Sequence, residues 1–412
     1  MTLAALIQRL KTGDWLTRRR AIAYGRILLG IELMVFLFLI AGTHGWIVPL
    51  DKPLTTDFAS FYAAGSLADA GNPALAYSQP EHYAAEQQVT APGIDYQFFY
   101  YPPVFMLICA LLAHLPYLVA FIVFEVITLV FYLAIASKVL GEQDWSTLAP
   151  LLAFPAVFWT IGLGQNALLT AALFGAATLL VDVRPVWSGL LFGALCYKPH
   201  LGLLIPVGLA FGRRWTAFAA AAASALALCG LSAILFGWQS WQDFFSVATA
   251  SHSTFEFGRI NLAGVISPFG AARLVGMDVM AAYAVQTVST LTMMVLVAWV
   301  WWRDCSLEVR AATLLAATLL AVPVVLLYDL MLAAMAALWL LRTARRSGFL
   351  PWEKTSIVLI FIVPLLTLGL GQSWHVPVAP LAAVLLLANA LRRAQREVAA
   401  APRGISVLSI PS

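Results

Sequence analysis

Apolar residues run along this chain in blocks of roughly 14 to 23, separated by short polar turns, and blocks of that length predict helices and not strands. Thirteen runs are legible: 22–42, 102–115, 117–138, 148–161, 165–182, 186–197, 199–211, 215–236, 280–302, 308–322, 325–342, 355–371 and 376–391. They lack the short alternating pattern of an outer-membrane barrel. At 1.5 Å per residue they span or half-span a hydrocarbon core. The expectation is an all-α, polytopic integral membrane protein, a single transmembrane domain over 1–412.

One stretch breaks the pattern. Residues 43–101 form the only long polar segment, and it has a structure of its own. The run from Asp57 reads as a short helix with the acid in its first turn, and Gln79 to Gln88 as a second, with Gly71-Asn72-Pro73 as the turn between them. Such a folded loop between compact spans is usually functional. Tyr96 to Pro103 then sets an aromatic cluster where the chain re-enters the bilayer, a position that also suits an interfacial aromatic belt.

Composition agrees with the pattern: 62% of the 412 residues are hydrophobic and 11% charged, far from the quarter charged in a soluble protein. The net charge of +4 is too small and scattered to suggest a nucleic-acid partner. Its placement is informative. Arg9, Lys11, Arg18, Arg19, Arg20 and Arg26 precede the first span, whereas loop 43–101 carries only Lys52 against Asp51, Asp57, Asp69, Glu81, Glu86 and Asp95. The N-terminus is therefore expected in the cytoplasm and the loop outside. Arg213 and Arg214, Arg303 and Arg310, Arg342/Arg345/Arg346 and Arg392/Arg393/Arg396 mark later cytoplasmic turns and a cytoplasmic C-terminus. Both ends inside require an even number of crossings, so about twelve of the thirteen runs cross; 148–161, short and holding Pro155, is read as a re-entrant or interfacial helix on the outer side, and a single bent helix over 102–138 would satisfy the same parity. The run Ile27 to Ala41 has no small-x-small cleavage site after it and reads as a retained anchor. Cys109, Cys196, Cys229 and Cys305 lie in apolar segments without paired spacing and read as packing residues.

Polar groups inside apolar runs are costly in lipid and tend to face a cavity. Glu32, His114, Glu125, Lys198, His200 and Asp329 qualify, with Gln165 and Asn166. Glu32 and Glu125 are expected to pair within the bundle or to point toward an interface. Lys198 stands apart, because Pro199 follows it between two short helices and frees backbone carbonyls that only a wet or protein-lined site can satisfy. The competing reading is a lysine snorkelling at the outer surface. The charge bookkeeping puts the tips at Gln165, Lys198 and Asp329 on the same face as Asp57. A carboxylate, a cation and an apolar body on one outward cavity suit a transferase with a lipid-linked phosphosugar donor: the acid takes the acceptor proton and the cation neutralises the departing phosphate. The alternative is a lipid or solute transporter, in which inverted repeats and paired broken helices are common. Here the polar features crowd into the first half, which favours an enzyme.

Thr56-Asp57-Phe58 through Tyr62-Ala63-Ala64-Gly65, then Gly71-Asn72-Pro73, Tyr77, Tyr101-Pro102-Pro103, Pro155, Gly164-Gln165-Asn166 and Lys198-Pro199 together resemble glycosyltransferase family 87. The resemblance runs in order over roughly 20–215, with a looser echo around Asn261. That family comprises polyprenyl-phosphate-sugar-dependent enzymes of GT-C architecture, among them mycobacterial mannosyltransferases. The resemblance implies a catalytic half over 22–215, with C-terminal helices over 216–412. It implies Asp57 as general base and Lys198, His200 and Arg259 as the donor-phosphate site. Tyr62, Tyr100, Tyr101, Gln165, Asn166 and Asn261 would line the sugar and acceptor sites. Many relatives carry a Ser-Pro-x-Ser-Trp-x-His-like motif in a late span; here Pro323-Val-Val-Leu-Leu-Tyr-Asp329 stands instead, so Tyr328 and Asp329 are expected in its place. The implied reaction is an inverting transfer of a hexose such as mannose to a lipid or glycan hydroxyl, on the outer face of a bacterial inner membrane. Neither a cofactor nor a metal is expected, since no His/Asp/Glu cluster has ligand spacing.

Overall fold

The computed structural model describes residues 2–42, 47–48, 52–53, 56–141, 146, 148–256 and 261–400. Within these the chain is helical apart from turns, extended links and a short antiparallel ladder that pairs Ile47 with Pro53 and Val48 with Lys52. α1 (Leu3–Thr12) starts on Thr2, whose hydroxyl accepts the Ala5 N–H, and stops at Gly13. α2 (Arg18–Ala41) follows, with only Gly25 and Glu32 buried. The outer-loop helices come next: α3 (Thr56–Asp69), a 3₁₀ turn at Pro73–Tyr77 and α4 (Gln79–Val89). α5 (Pro103–Ala113) and α6 (Tyr117–Leu140) match the runs read from the sequence to within two residues at each end.

Run 148–161 is not one helix. It divides into α7 (Leu148–Leu152) and α8 (Pro155–Leu163), because Phe154, extended ahead of a proline, cannot continue the first and Pro155 fits the first turn of the second. α9 (Ala167–Leu180) and α10 (Pro185–Ala194) lead to two 3₁₀ turns, Leu195–Tyr197 and Pro199–Gly202, and to the short α11 (Ile205–Phe211). α12 (Trp215–Glu256) extends well past residue 236, re-forming beyond a break at Gly237 (φ 75°, ψ 157°). α13 (Pro268–Leu274), α14 (Val279–Trp302) and α15 (Leu307–Ala321) precede the 3₁₀ turn Leu327–Leu330. α16 (Met331–Ser347), α17 (Glu353–Trp374) and α18 (Leu381–Ala400) complete the chain described.

Six stretches are long and apolar enough to cross a membrane among the described residues: Arg18–Ala41, Tyr117–Leu140, Trp215–Ala250, Val279–Trp302, Leu327–Ser347 and Glu353–Trp374. The shorter apolar helices fill the interior between them. α15 and the first half of α16 are buried almost completely and form the centre, with α9 beside them. Gly189 and Gly193, four apart on α10, let it lie on α12 so closely that a Cβ would stand 2.3 and 2.4 Å from the Ala217 and Ala221 carbonyl oxygens. Apolar side chains of α2, α12 and α14 face outward, including Leu37, Phe38, Leu226, Ile234, Val288 and Leu291, a surface suited to lipid. Glu125 is buried with neither carboxyl oxygen hydrogen-bonded among the described residues, and Glu32 is buried with its Oε1 likewise unbonded.

The arginines read from the sequence as topological markers do gather at one end. Arg214 bonds Asp182 at 2.8 Å and Asp304 at 3.0 Å, and Arg310 pairs with the same Asp182. Arg346 meets Glu308 at 2.7 Å, and Arg393, itself buried, makes a two-pronged contact with Glu353 at 2.6 Å for each prong. α9 separates Asp182 from Gln165 by fourteen helical residues, about 21 Å. The tips at Gln165, Lys198 and Asp329 therefore occupy the end opposite the arginines.

Candidate active site

Asp57 sits in the first turn of α3, and α3 is seated by glycines on two neighbours. Gly65 lies against α5 so tightly that a Cβ would be 2.1 Å from the Cys109 carbonyl oxygen. α8 ends because Gly164 adopts a left-handed conformation (φ 68°), and the N–H groups of Gly164 and Gln165 return to the Ile161 and Thr160 carbonyls at 3.2 and 2.8 Å. A Cβ on Gly164 would fall 2.5 Å from Phe58 Cβ, so a glycine at this turn admits the start of α3. The turn delivers Gln165, whose side chain hydrogen-bonds the Asp57 carboxyl. Gln165 Oε1 accepts from the Tyr101 hydroxyl at 3.2 Å. Asn166 lies fully buried beside the Tyr101 hydroxyl.

Lys198 reaches the same place from the tip between α10 and α11. It is the non-helical residue (φ −126°, ψ 67°) between two 3₁₀ turns, and Tyr197 pins the tip through a 2.6 Å contact with the Thr170 hydroxyl and a stack on Phe105. Its ammonium is 4% exposed and donates to Asp329 Oδ1 at 3.0 Å, under the rings of Tyr328 and Tyr101 at 5.1 and 6.0 Å. Asp329 is held in turn: Oδ2 accepts the Leu326 N–H at 3.0 Å. Lys198 is thus a buried, paired cation and not a snorkelling one.

Burial raises the Asp57 carboxyl to about 6, against the opposing influence of the Gln165 hydrogen bond and the Lys198 charge. A carboxyl so poised is ionised at pH 7 yet ready to take a proton, the balance general-base chemistry needs.

The other residues singled out in the sequence divide. Tyr101, Gln165, Asn166, Tyr328 and Asp329 join Asp57 and Lys198. His200, two residues on from Lys198, is exposed and lies within reach of the Lys198 and Asp329 charges. Asn261 lies at the surface, where its Oδ1 accepts the Ala263 N–H at 3.1 Å, and a bridge from Val265 to Leu326 ties its segment to the Asp329 turn. Tyr62 is turned elsewhere: its hydroxyl donates to the Leu115 carbonyl at 2.7 Å and fastens α3 to the α5–α6 turn. Tyr100 stacks on Phe98, alternating away from Tyr101 along an extended strand of chain. Arg259 lies outside the described residues. Two concavities lie elsewhere: about 450 Å³ between Ala68–Leu75 and Leu235–Gln239, and about 300 Å³ around Asp182, Arg213 and Trp215.

Sequence reading missed a second polar layer behind Asp57. Ser60, His82 and Glu86 are 1%, 0% and 0% exposed. The i, i+4 spacing of His82 and Glu86 on an expected helix was the available signal, since such residues share a helix face.

Searches among curated proteins and among solved structures gave no match. The model of glycosyltransferase family 87 matches residues 99–326, later along the chain than the 20–215 over which the resemblance was read. The matched part includes Tyr101, Gln165, Asn166, Lys198 and Asn261, while Asp57 precedes it and Asp329 follows it by three residues. The match takes in more than half of the chain, and the chain belongs to glycosyltransferase family 87.

Proposed function

We propose that this membrane glycosyltransferase moves a hexose, such as mannose, from a polyprenyl-phosphate donor to an acceptor hydroxyl at the outer face of a bacterial inner membrane. Asp57 takes the hydroxyl proton as the acceptor oxygen attacks the anomeric carbon, and the bond from that carbon to the phosphate oxygen breaks. Attack from the side opposite the phosphate inverts the centre, so a β-linked donor gives an α-linked product. The ammonium of Lys198, one of whose three N–H groups engages Asp329, has others to offer the leaving phosphate, with His200 and Arg259 flanking it. Gln165 orients the base, and Tyr101, Asn166 and Tyr328 bound the sugar. About twelve crossings, with both termini cytoplasmic, complete this reading; it requires the shorter apolar helices to cross in addition to the six long ones.

The observation that carries it is the meeting of Asp57, Gln165 and the Lys198–Asp329 pair at the end of the bundle opposite the arginines. The test is transfer by the purified protein in lipid nanodiscs, offered a panel of polyprenyl-phosphate hexoses and lipid acceptors. Turnover with a polyprenyl-phosphate sugar, lost in Asp57→Asn, is expected. Turnover with nucleotide sugars alone would overturn the donor assignment.

A further inference from the structure

Behind Asp57, three buried polar atoms lack a hydrogen bond among the described residues: Ser60 Oγ, His82 Nδ1 and Glu86 Oε1. The last two face one another. His82 Nε2 lies 3.1 Å from the Ser60 carbonyl oxygen on α3, and His82 Nδ1 lies 3.7 Å from Glu86 Oε1, both His82 and Glu86 being on α4. Glu86 Oε2 accepts the Gln97 N–H at 3.1 Å, and the rings of Tyr96 and Phe99 close the imidazole off at 5.7 and 5.9 Å.

These contacts fix where the protons are. A carbonyl oxygen can only accept, so His82 Nε2 carries a hydrogen; burial keeps the imidazole neutral, so that hydrogen is its only one and Nδ1 presents a lone pair. An ionised Glu86 would set a second lone pair against it, in a fully buried site. A protonated Glu86 would instead donate from Oε1, and Oε2, already accepting from Gln97, is the oxygen without the proton. The 3.7 Å gap is longer than a hydrogen bond, so a bond between the two requires the carboxyl to turn toward Nδ1.

We propose that Glu86 is protonated in the active enzyme and donates to His82, so that the pair acts as a positioning device, fastening α3 and its Asp57 to α4 through the Ser60 carbonyl. This rests on the reading of Asp57 as the base. The titratable neighbours agree in direction: burial holds His82 neutral, down to about 4, and raises Glu86 to about 8, helped by the negative charge of Asp57 on α3; Tyr96, from the 94–101 stretch, is the other titratable group facing Glu86. When Glu86 ionises, donor and acceptor become two acceptors and the fastening opens.

The test compares parent with Glu86→Gln, whose amide has the carboxyl shape and donates to His82 at every pH. Turnover at saturating substrate is followed from about pH 5.5 to 9.5. The parent is expected to lose about tenfold in kcat for each unit above about pH 8, and Glu86→Gln to keep its pH 7 rate through that range with KM unchanged. The same alkaline fall in both proteins would overturn the proposal. Melting temperature gives a second readout that needs no substrate. Because the folded-state value of Glu86 lies above its ordinary 4.5, its stabilising share is complete below that pH and is lost as pH rises to about 8. The difference in Tm between parent and Glu86→Gln should therefore fall over that interval and level off above it. A difference independent of pH would overturn the proposal even if every donor tried gave no transfer, so its failure is distinguishable from failure of the functional assignment.

Discussion

A carboxyl that is to accept a proton near neutrality must bind it more tightly than a solvated one, and Asp57 acquires that affinity from burial, moderated by Gln165 and Lys198. Asp57→Asn retains the shape and the hydrogen bond to Gln165 without the basicity, so transfer should fall by roughly 10² or more in a purified assay while the melting curve holds. The pH dependence follows the sign of the shift. On the proposed role of Asp57 as base the ionised form is the working one, so kcat/KM should decline about tenfold per unit below about pH 6, and turnover by the parent should be bell-shaped between that limb and the one assigned to Glu86. At this scale the sequence was informative where a residue's own neighbours declared it: Asp57 in an acidic loop, Lys198 before a proline. It was silent where the partner is remote. Nothing near Lys198 announces Asp329, 131 residues away, and nothing in the Tyr62 motif distinguishes a hydroxyl that bonds Leu115 from one that meets a sugar.

The elements that present these residues are held by close backbone contacts and by charge. Gly164→Ala would add a Cβ in a left-handed conformation and against Phe58, which should destabilise the protein by about 1–2 kcal/mol and lower kcat by displacing the start of α3. Chemical denaturation and the transfer assay would measure the two effects separately. Lys198 and Asp329 join the α10–α11 tip to the turn ahead of α16. Lys198→Met alone should cost about 3–5 kcal/mol by leaving a buried carboxylate unpaired, and adding Asp329→Asn should recover at least half, since Asn keeps an acceptor for the Leu326 N–H. A double mutant no more stable than the single would mean that the pair is not coupled. Helix limits were legible where apolar length set them, as in α5, α6 and α9, and the two outer-loop helices were legible from capping and turn residues. The breaks were harder. The run read as 215–236 stops at Gly237, where α12 breaks, but nothing in the more polar stretch beyond it announced that the helix resumes to Glu256, and α16 begins at Met331 because the preceding residues are used to hold Asp329 in a 3₁₀ turn.

For the molecule as a whole, the arginines are both markers and fasteners, since those that predict a cytoplasmic end also tie α9, α12, α15 and α16 together there through Asp182, Asp304 and Glu308. That double use explains why charge asymmetry revealed which turns share an end, while the ion-pair partners became visible only in the fold. Sidedness is open to direct measurement. In intact cells a cysteine at Asn72 should react with an impermeant maleimide, and one at Ser347 should react only after permeabilisation; the reverse pattern would invert the orientation. The 131-residue separation of Lys198 from Asp329 has a consequence in time as well as in space. A ribosome adding about 5–20 residues per second needs roughly 7–26 s to make the chain between them. Throughout that interval Lys198 is without its Asp329 partner, and Asp57 of the earlier chain is the carboxyl whose charge reaches it. The catalytic end is therefore finished only when the late helices arrive, and a nascent chain halted before them would expose an incomplete hairpin to the quality-control proteases of the membrane.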